Sequence, residues 1–113
     1  MSCIFCKIVN KEIPSQIVYE DDNVLAFNDI NPQAPVHVIV IPKIHISSVN
    51  EITTDNSIIV ANIFNAITNI VKSQGINDTG YRVITNCGND GCQSVGHLHF
   101  HILGGKKLSE TLS

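Results

Sequence analysis

Between residues 57 and 73, apolar side chains return every three or four positions: Val60, Ile63, Phe64, Ile67, Ile70 and Val71. That spacing predicts one long amphipathic helix, its stripe widened by Ile59 and Ala66. Thr54 or Asp55 is the expected N-cap, and Gly75 the expected stop. Elsewhere the runs are shorter. Residues 17–20 and 24–27 read as strands joined by an Asp21-Asp22-Asn23 turn. Val36-His37-Val38-Ile39-Val40-Ile41 is nearly all apolar and β-branched, as in a strand covered on both faces, and Pro42 ends it. Residues 81–85 form a further strand. Residues 3–11 read as a short helix with Ile4, Phe5 and Ile8 along one side, closed by Pro14. The segments 29–35 and 86–94, rich in Pro, Gly and Asn, are loops.

The last element is His97-Leu98-His99-Phe100-His101, followed by Ile102-Leu103-Gly104-Gly105. In an extended strand, side chains alternate faces. Three imidazoles, spaced roughly 7 Å apart along the strand, then share one face, and Leu98, Phe100 and Ile102 turn to the core. Such a row can bind metal, bind phosphate, attack phosphorus or simply form a polar face. The elements sum to about five strands, one long helix and one short one with hairpin-like connections: an α+β fold with an antiparallel sheet and the helix on one face.

Composition narrows the picture. A chain of 113 residues with 43% hydrophobic content suits one domain, taken as 1–113, and excludes disorder. A net charge of −3 disfavours extended nucleic-acid binding. No apolar run is long enough for a membrane span, and the N-terminus has no secretory pattern, so a cytoplasmic protein is expected. Four cysteines in such a chain are not a disulfide framework. Cys3 and Cys6 form a C-x-x-C that fits metal sites and redox pairs alike. Cys87 and Cys92 have a metal-compatible spacing but read as ordinary loop cysteines. His37, on a buried strand, reads as a satisfied core histidine.

The row His97-Leu98-His99-Phe100-His101-Ile102-Leu103 resembles the histidine triad motif. The stretches Phe27-Asn28-Asp29-Ile30-Asn31-Pro32-Gln33-Ala34-Pro35-Val36-His37, Ile41-Pro42-Lys43-Ile44-His45-Ile46-Ser47 and Gln93-Ser94-Val95-Gly96 resemble that family's other signatures, in order, over residues 3–105. The match is to the histidine triad nucleotide-binding proteins, or purine nucleoside phosphoramidases. The resemblance implies five antiparallel strands with two helices. It also implies a homodimer whose sheets join into one ten-stranded sheet.

The same resemblance implies a chemistry. His99 aligns with the nucleophile that attacks the α-phosphorus of a nucleoside phosphoramidate and forms a nucleotidyl-imidazole. A carbonyl on the strand carrying His37 is expected to hold its tautomer. His101 would bind the phosphate, with Asn86 near it, and Ser94 would help protonate the leaving amine. Gln93 and the N–H groups of Ser94 and Val95 would meet phosphoryl oxygens. Asp29 would accept from both ribose hydroxyls; by itself it reads as a turn aspartate. A purine would rest in a partly open apolar slot among Ile4, Phe5, Ile8, Phe27 and Ile30. His37 would orient its neighbours. Some bacterial-type members bind zinc through two cysteines and two histidines, and the matching positions here are Cys3, Cys6, His45 and His97. Such a Cys2His2 set leaves no open position, so the zinc would be structural and catalysis would not require it.

Two departures stand out. The chain lacks the tryptophan-containing tail of the animal members, and Gly96 sits where a bulky aromatic is often found. Preference among leaving groups stays open as a result. Hydrolysis of dinucleoside polyphosphates through the same intermediate is an alternative, as is a purine-nucleotide-binding or scaffold protein with residual turnover. A small zinc-binding domain with no nucleotide site is a further reading.

Overall fold

The computed structural model describes residues 3–112. Expectations that touch Met1, Ser2 and Ser113, including the extreme ends of the 1–113 domain and the start of the N-terminal segment, lie outside the described residues. Five strands, β1 (Ile17–Glu20), β2 (Val24–Asn28), β3 (Val36–Pro42), β4 (Tyr81–Thr85) and β5 (Phe100–Gly104), form one sheet in the order β1-β2-β3-β5-β4. All four pairings are antiparallel. The five-stranded antiparallel sheet with one long and one short helix is the α+β fold that the pattern implies.

β3 lies at the centre, and its period of two divides the interior. Val38 and Val40 face a core built with Val24, Ala26, Leu98, Phe100 and Ile102 under the long helix α2 (Ile58–Ser73). Ile39 and Ile41 face a second core with Leu25, Phe27 and the two buried residues of the short helix α1 (Ile4–Val9), Phe5 and Ile8. The helices thus cover opposite faces of the sheet. Burying one such aliphatic or aromatic side chain contributes about 1.5–3 kcal/mol, which explains why β3 tolerates almost no polar residue.

The ends of the helices differ in detail from expectation. α2 starts from Ser57, which makes no side-chain cap bond. Thr54 and Asp55 lie in the preceding turn, where Asn56 Oδ1 accepts from Thr53 N–H at 2.7 Å and Asp55 N–H donates to Thr53 Oγ1 at 3.2 Å. The first helical N–H groups are met by backbone instead: Ile59 donates to Asn56 O at 2.9 Å and Val60 to Ser57 O at 3.0 Å. At the other end Gly75 does terminate the helix. Its φ is +73°, and the N–H groups of Gly75 and Ile76 donate to Lys72 and Val71 carbonyls at 3.1 and 3.0 Å. That is the Schellman pattern, and buried Ile76 supplies its usual apolar contact. α1 is shorter than the expected 3–11: Asn10 caps it and Lys11 turns away with φ +62°, well before Pro14.

β5 is also shorter than the histidine pattern suggested. Only Phe100 onward pairs with β3 and β4. Pro42 has no N–H to offer the preceding residues. The segment is tied instead by Leu98 N–H donating to Ile46 O at 2.7 Å and Thr85 Oγ1 donating to His99 O at 2.7 Å. Alternation survives, since Leu98 and Phe100 still enter the α2 core while His97 and His99 face the α1 side. Among the described residues, no helix is long and apolar enough to cross a membrane.

Candidate active site and metal cluster

His97 is completely buried (0% exposed). Its Nε2 donates to the Pro42 carbonyl oxygen at 3.0 Å. That bond leaves the Nδ1 lone pair free, and Nδ1 faces three other donors: Cys3 Sγ at 3.4 Å, Cys6 Sγ at 3.6 Å and His45 Nδ1 at 3.2 Å. Cys6 Sγ lies 3.2 Å from His45 Nδ1, and the four ligand atoms all lie within 4.8 Å of one another. With metal bonds of about 2.3 Å to sulfur and about 2.0–2.1 Å to nitrogen, the N···N and S···N edges of a tetrahedron come to about 3.3–3.6 Å. The measured separations match, so these four residues fit a tetrahedral cation. Burial and then the neighbouring Cys3 thiol push the Cys6 thiol above its usual value. A divalent ion would offset that cost by binding the thiolates. The carbonyl of Pro42 orients the His97 ring with Nδ1 toward the cluster, as a ligand would need.

His99, 3% exposed, is held differently. Its Nδ1 lies 2.8 Å from the carbonyl oxygen of His97. A carbonyl only accepts, so Nδ1 carries the proton and the Nε2 lone pair is available. The holding carbonyl belongs to the triad itself, not to β3 as expected. The β3 carbonyl, that of Pro42, is taken by His97, because the histidine segment leaves the sheet before Phe100.

His37 and His101 form the third part. Gln33 N–H donates to His37 Nδ1 at 3.0 Å. His37 therefore carries its proton on Nε2, which lies 2.8 Å from His101 Nδ1 and 3.3 Å from Asp29 Oδ2. His101 Nδ1 must then accept, which places the His101 proton on Nε2 as an outward donor. Burial lowers the pKa of His37, with Asp29 opposing. Burial, followed by the nearby His99 and His37, lowers His101 to about 4. Both rings are neutral at neutral pH, so the contact to Asp29 is a hydrogen bond from a neutral imidazole. The ring centroids of His99 and His101 are 5.2 Å apart.

Asp29 uses its two oxygens differently. Oδ1 accepts from Asn31 N–H at 2.8 Å, as in a turn, while Oδ2 faces His37 at the site. Several other expected residues have different surroundings from those anticipated. Phe5, Ile8 and Phe27 are each only 6% exposed. They are buried in the α1 core, with Phe5 edge-on to Phe27 at 5.6 Å, because the short helix needs their area to hold it to the sheet. Ile30, by contrast, is 92% exposed. Gln93 spends its side chain on the loop: Nε2 donates to Ser47 O at 2.7 Å and Val95 O at 2.8 Å, and Oε1 accepts from Gly88 N–H at 3.0 Å. Its own N–H donates to Gly88 O. It is a staple for residues 86–95 rather than a free phosphate ligand. Asn86 Nδ2 likewise donates to Gly91 O at 2.7 Å. Ser94 is exposed and Val95 half-buried at the edge of this loop. Cys87 Sγ lies 3.4 Å from Ser48 Oγ, and Cys92 is an exposed loop residue with φ +63°.

Sequence reasoning missed Pro42, Gln33 and Thr85, which act through a carbonyl, an N–H and a hydroxyl. Backbone groups carry no residue-type signal, so only the fold could reveal the first two.

Residues 2–112 match the family model described as the scavenger mRNA decapping enzyme C-terminal binding domain. A solved histidine triad protein from Clostridium difficile superposes with a TM-score of 0.96 at 57% identity, covering 98% of this chain and 96% of that one. The chain belongs to the histidine triad family. Within the family, the purine nucleoside phosphoramidase of Escherichia coli K12 is 44% identical over 110 residues, 97% of this chain and 92% of that protein. A 14 kDa zinc-binding protein of Zea mays is 45% identical over 108 residues, 94% and 84% of the two chains. This histidine triad protein is an enzyme of that family.

Proposed function

We propose that this protein hydrolyses purine nucleoside 5′-phosphoramidates and related AMP conjugates to the nucleoside monophosphate. The observation that carries this reading is the 2.8 Å contact from His99 Nδ1 to the His97 carbonyl, which leaves the Nε2 lone pair free. Nε2 would attack the α-phosphorus. The P–N bond to the amine breaks, the amine takes up a proton, and a nucleotidyl-His99 forms. Water then attacks phosphorus, the Nε2–P bond breaks and the monophosphate leaves. Splitting one displacement into two suits imidazole, a competent nucleophile and leaving group at neutral pH.

The outward Nε2–H of neutral His101 would donate to a phosphoryl oxygen, and the Ser94 and Val95 N–H groups would add to that stabilisation. Exposed Ser94 would deliver the proton to the amine. Asp29 would receive the ribose hydroxyls, and the base would rest on exposed Ile30 at the rim, over the buried Phe5, Ile8 and Phe27. Support for the purine comes from the Escherichia coli relative named for that activity.

The donor set Cys3, Cys6, His45 and His97 supports a structural zinc, in keeping with the Zea mays relative named as zinc-binding. Four protein ligands leave it no position for water, so it would hold α1 to the sheet. Exposed Tyr81 on the edge strand β4, together with exposed Ile58 and Phe64 (44%) on α2, supports a homodimer joined through that edge. We read the chain as a single cytoplasmic domain with neither nucleic acid nor membrane as partner.

The deciding experiment is hydrolysis of adenosine 5′-phosphoramidate by the zinc-loaded protein and by His99→Ala. Turnover by the first and its collapse in the second supports the reading. Absence of turnover by the folded wild type overturns it, and diadenosine polyphosphates would be the next substrates to try.

A further inference from the structure

The backbone that carries His99 lies outside the sheet, yet it is tied from both flanks. On one flank the chain following β3 holds it. Leu98 N–H donates to Ile46 O at 2.7 Å, and His97 Nε2 to Pro42 O at 3.0 Å. On the other flank stands β4, whose pairing with β5 ends at Thr85 opposite Phe100. Beyond Thr85 the chain leaves for the loop 86–95. A continuing strand would offer its next backbone N–H groups to the histidine segment. Here a side chain takes their place: Thr85 Oγ1 donates to the carbonyl oxygen of His99 at 2.7 Å.

Thr85 is half-buried at the end of β4, and its branched Cβ restricts the first side-chain torsion, so the hydroxyl is held against the carbonyl. His99 is 3% exposed, which leaves water little access to replace that donor. Thr85 is also the stem of the loop. Its neighbour Asn86 donates through Nδ2 to Gly91 O at 2.7 Å, and Gln93 Nε2 ties the far end to Ser47 O and Val95 O. One hydroxyl thus joins the His99 backbone to the base of the loop that presents Ser94 and Val95.

We propose that Thr85 is a positioning residue whose hydroxyl sets where His99 stands relative to Ser94 and the Ser94 and Val95 N–H groups. The proposal rests on the reading of His99 as the nucleophile. Thr85 acts through the His99 backbone. Asp29 and Ile30, which would receive ribose and base, lie on the β2–β3 connection, across β5 from β4. Loss of the hydroxyl therefore misplaces the attacking atom while the nucleotide still binds, and small misplacements of reacting groups cost rate steeply.

The test compares the zinc-loaded full chain with two variants. Thr85→Val keeps the branched shape and removes the hydroxyl, and Thr85→Ser keeps the hydroxyl and removes the methyl. Steady-state kinetics with adenosine 5′-phosphoramidate and hydrogen–deuterium exchange are read on all three. Thr85→Val should lower kcat by about 10–100-fold with KM little changed. Its amides at 98–100 should exchange faster while those of β2 and β3 stay as they were. Thr85→Ser should restore most of kcat and the slow exchange. If Thr85→Val does not fold, Thr85→Ala takes its place beside the same serine variant. Unaltered kcat or exchange in the hydroxyl-free variant would overturn the proposal, and so would an effect confined to KM or Tm. Equal losses in the valine and serine variants would assign the effect to packing of the methyl and overturn it too. Exchange reads out without turnover. If the wild type fails to hydrolyse the phosphoramidate, yet valine loosens 98–100 and serine restores them, the substrate reading falls and the positioning role stands.

Discussion

The carbonyl oxygen of His97 lies 2.8 Å from Nδ1 of His99, two residues along the same chain. His97 itself is protonated on the opposite nitrogen, Nε2, by its bond to Pro42. These two histidines are thus fixed in opposite tautomers, His97 with Nδ1 free toward the Cys3-Cys6-His45 cluster and His99 with Nε2 free. On the proposed mechanism, loss of the His99 imidazole removes the nucleophile. His99→Ala should lower kcat/KM for adenosine 5′-phosphoramidate by at least about 10³–10⁴-fold. Mass spectrometry of quenched wild type should find an adduct of one nucleotidyl group that the variant lacks. A variant with near-normal turnover would remove His99 from the mechanism.

His37 should matter without touching substrate. It passes orientation from Gln33 N–H to His101 through bonds of 3.0 and 2.8 Å. His37→Ala leaves His101 Nδ1 without its donor, at a cost of about 1–3 kcal/mol for an unpaired buried group. The expected result is a drop in kcat/KM of about 10–100-fold, since 1.4 kcal/mol is a factor of about ten. Unaltered steady-state kinetics in this variant would contradict the relay.

Stability should depend on His101 below neutral pH. Burial and the neighbouring His99 and His37 lower its pKa to about 4 from the ordinary 6.5. Above pH 6.5 neither the folded nor the unfolded chain binds this proton, and the group costs nothing. As pH falls from 6.5 to about 4, the unfolded chain takes up a proton that the folded chain refuses, so stability is lost across that window and the loss levels off below it. Melting curves of wild type and His101→Asn should diverge accordingly, the wild type losing more between pH 6.5 and 4. Protonation of the cysteine and histidine cluster acts on both proteins alike. Parallel curves would show that His101 is not buried as described.

Purified protein never exposed to chelator should carry about one zinc per chain at the four-donor cluster. Cys6→Ser should reduce the zinc content and lower Tm, by roughly 4 °C for each kcal/mol lost, because α1 then releases Phe5 and Ile8. Metal analysis beside thermal melts checks both. Metal-free wild type with an unchanged Tm would deny the cluster its structural role.

The loop before the triad offers a paired test with glycines. A Cβ at Gly91 would sit 2.4 Å from the carbonyl oxygen and 3.0 Å from the amide nitrogen of Cys87, both backbone atoms that cannot swing aside. Gly91→Ala should therefore distort residues 86–95 and cut activity severely while leaving the sheet folded, as judged by circular dichroism. A Cβ at Gly96 meets nothing within 4 Å, and Gly96→Ala should be nearly silent. The reverse order of effects would mean that the loop is held differently.

Much of this protein is legible in its sequence because the signals are local. The 3.6-residue period of α2, the alternation through His97–His101 and the β-branched run of β3 each report which side of an element meets a core. The period of two holds even where the segment leaves the sheet, since it follows from extended backbone. The Cys3-x-x-Cys6 pair, His45 and His97 are readable as ligand types, although only the resemblance joined them. What tertiary structure decided is which nitrogen of each imidazole is free. Those choices depend on the carbonyls of Pro42 and His97 and the N–H of Gln33, groups that every residue carries and that no pattern marks. It also decided that Phe5, Ile8 and Phe27 are buried together beneath α1, which is settled by packing rather than by residue type.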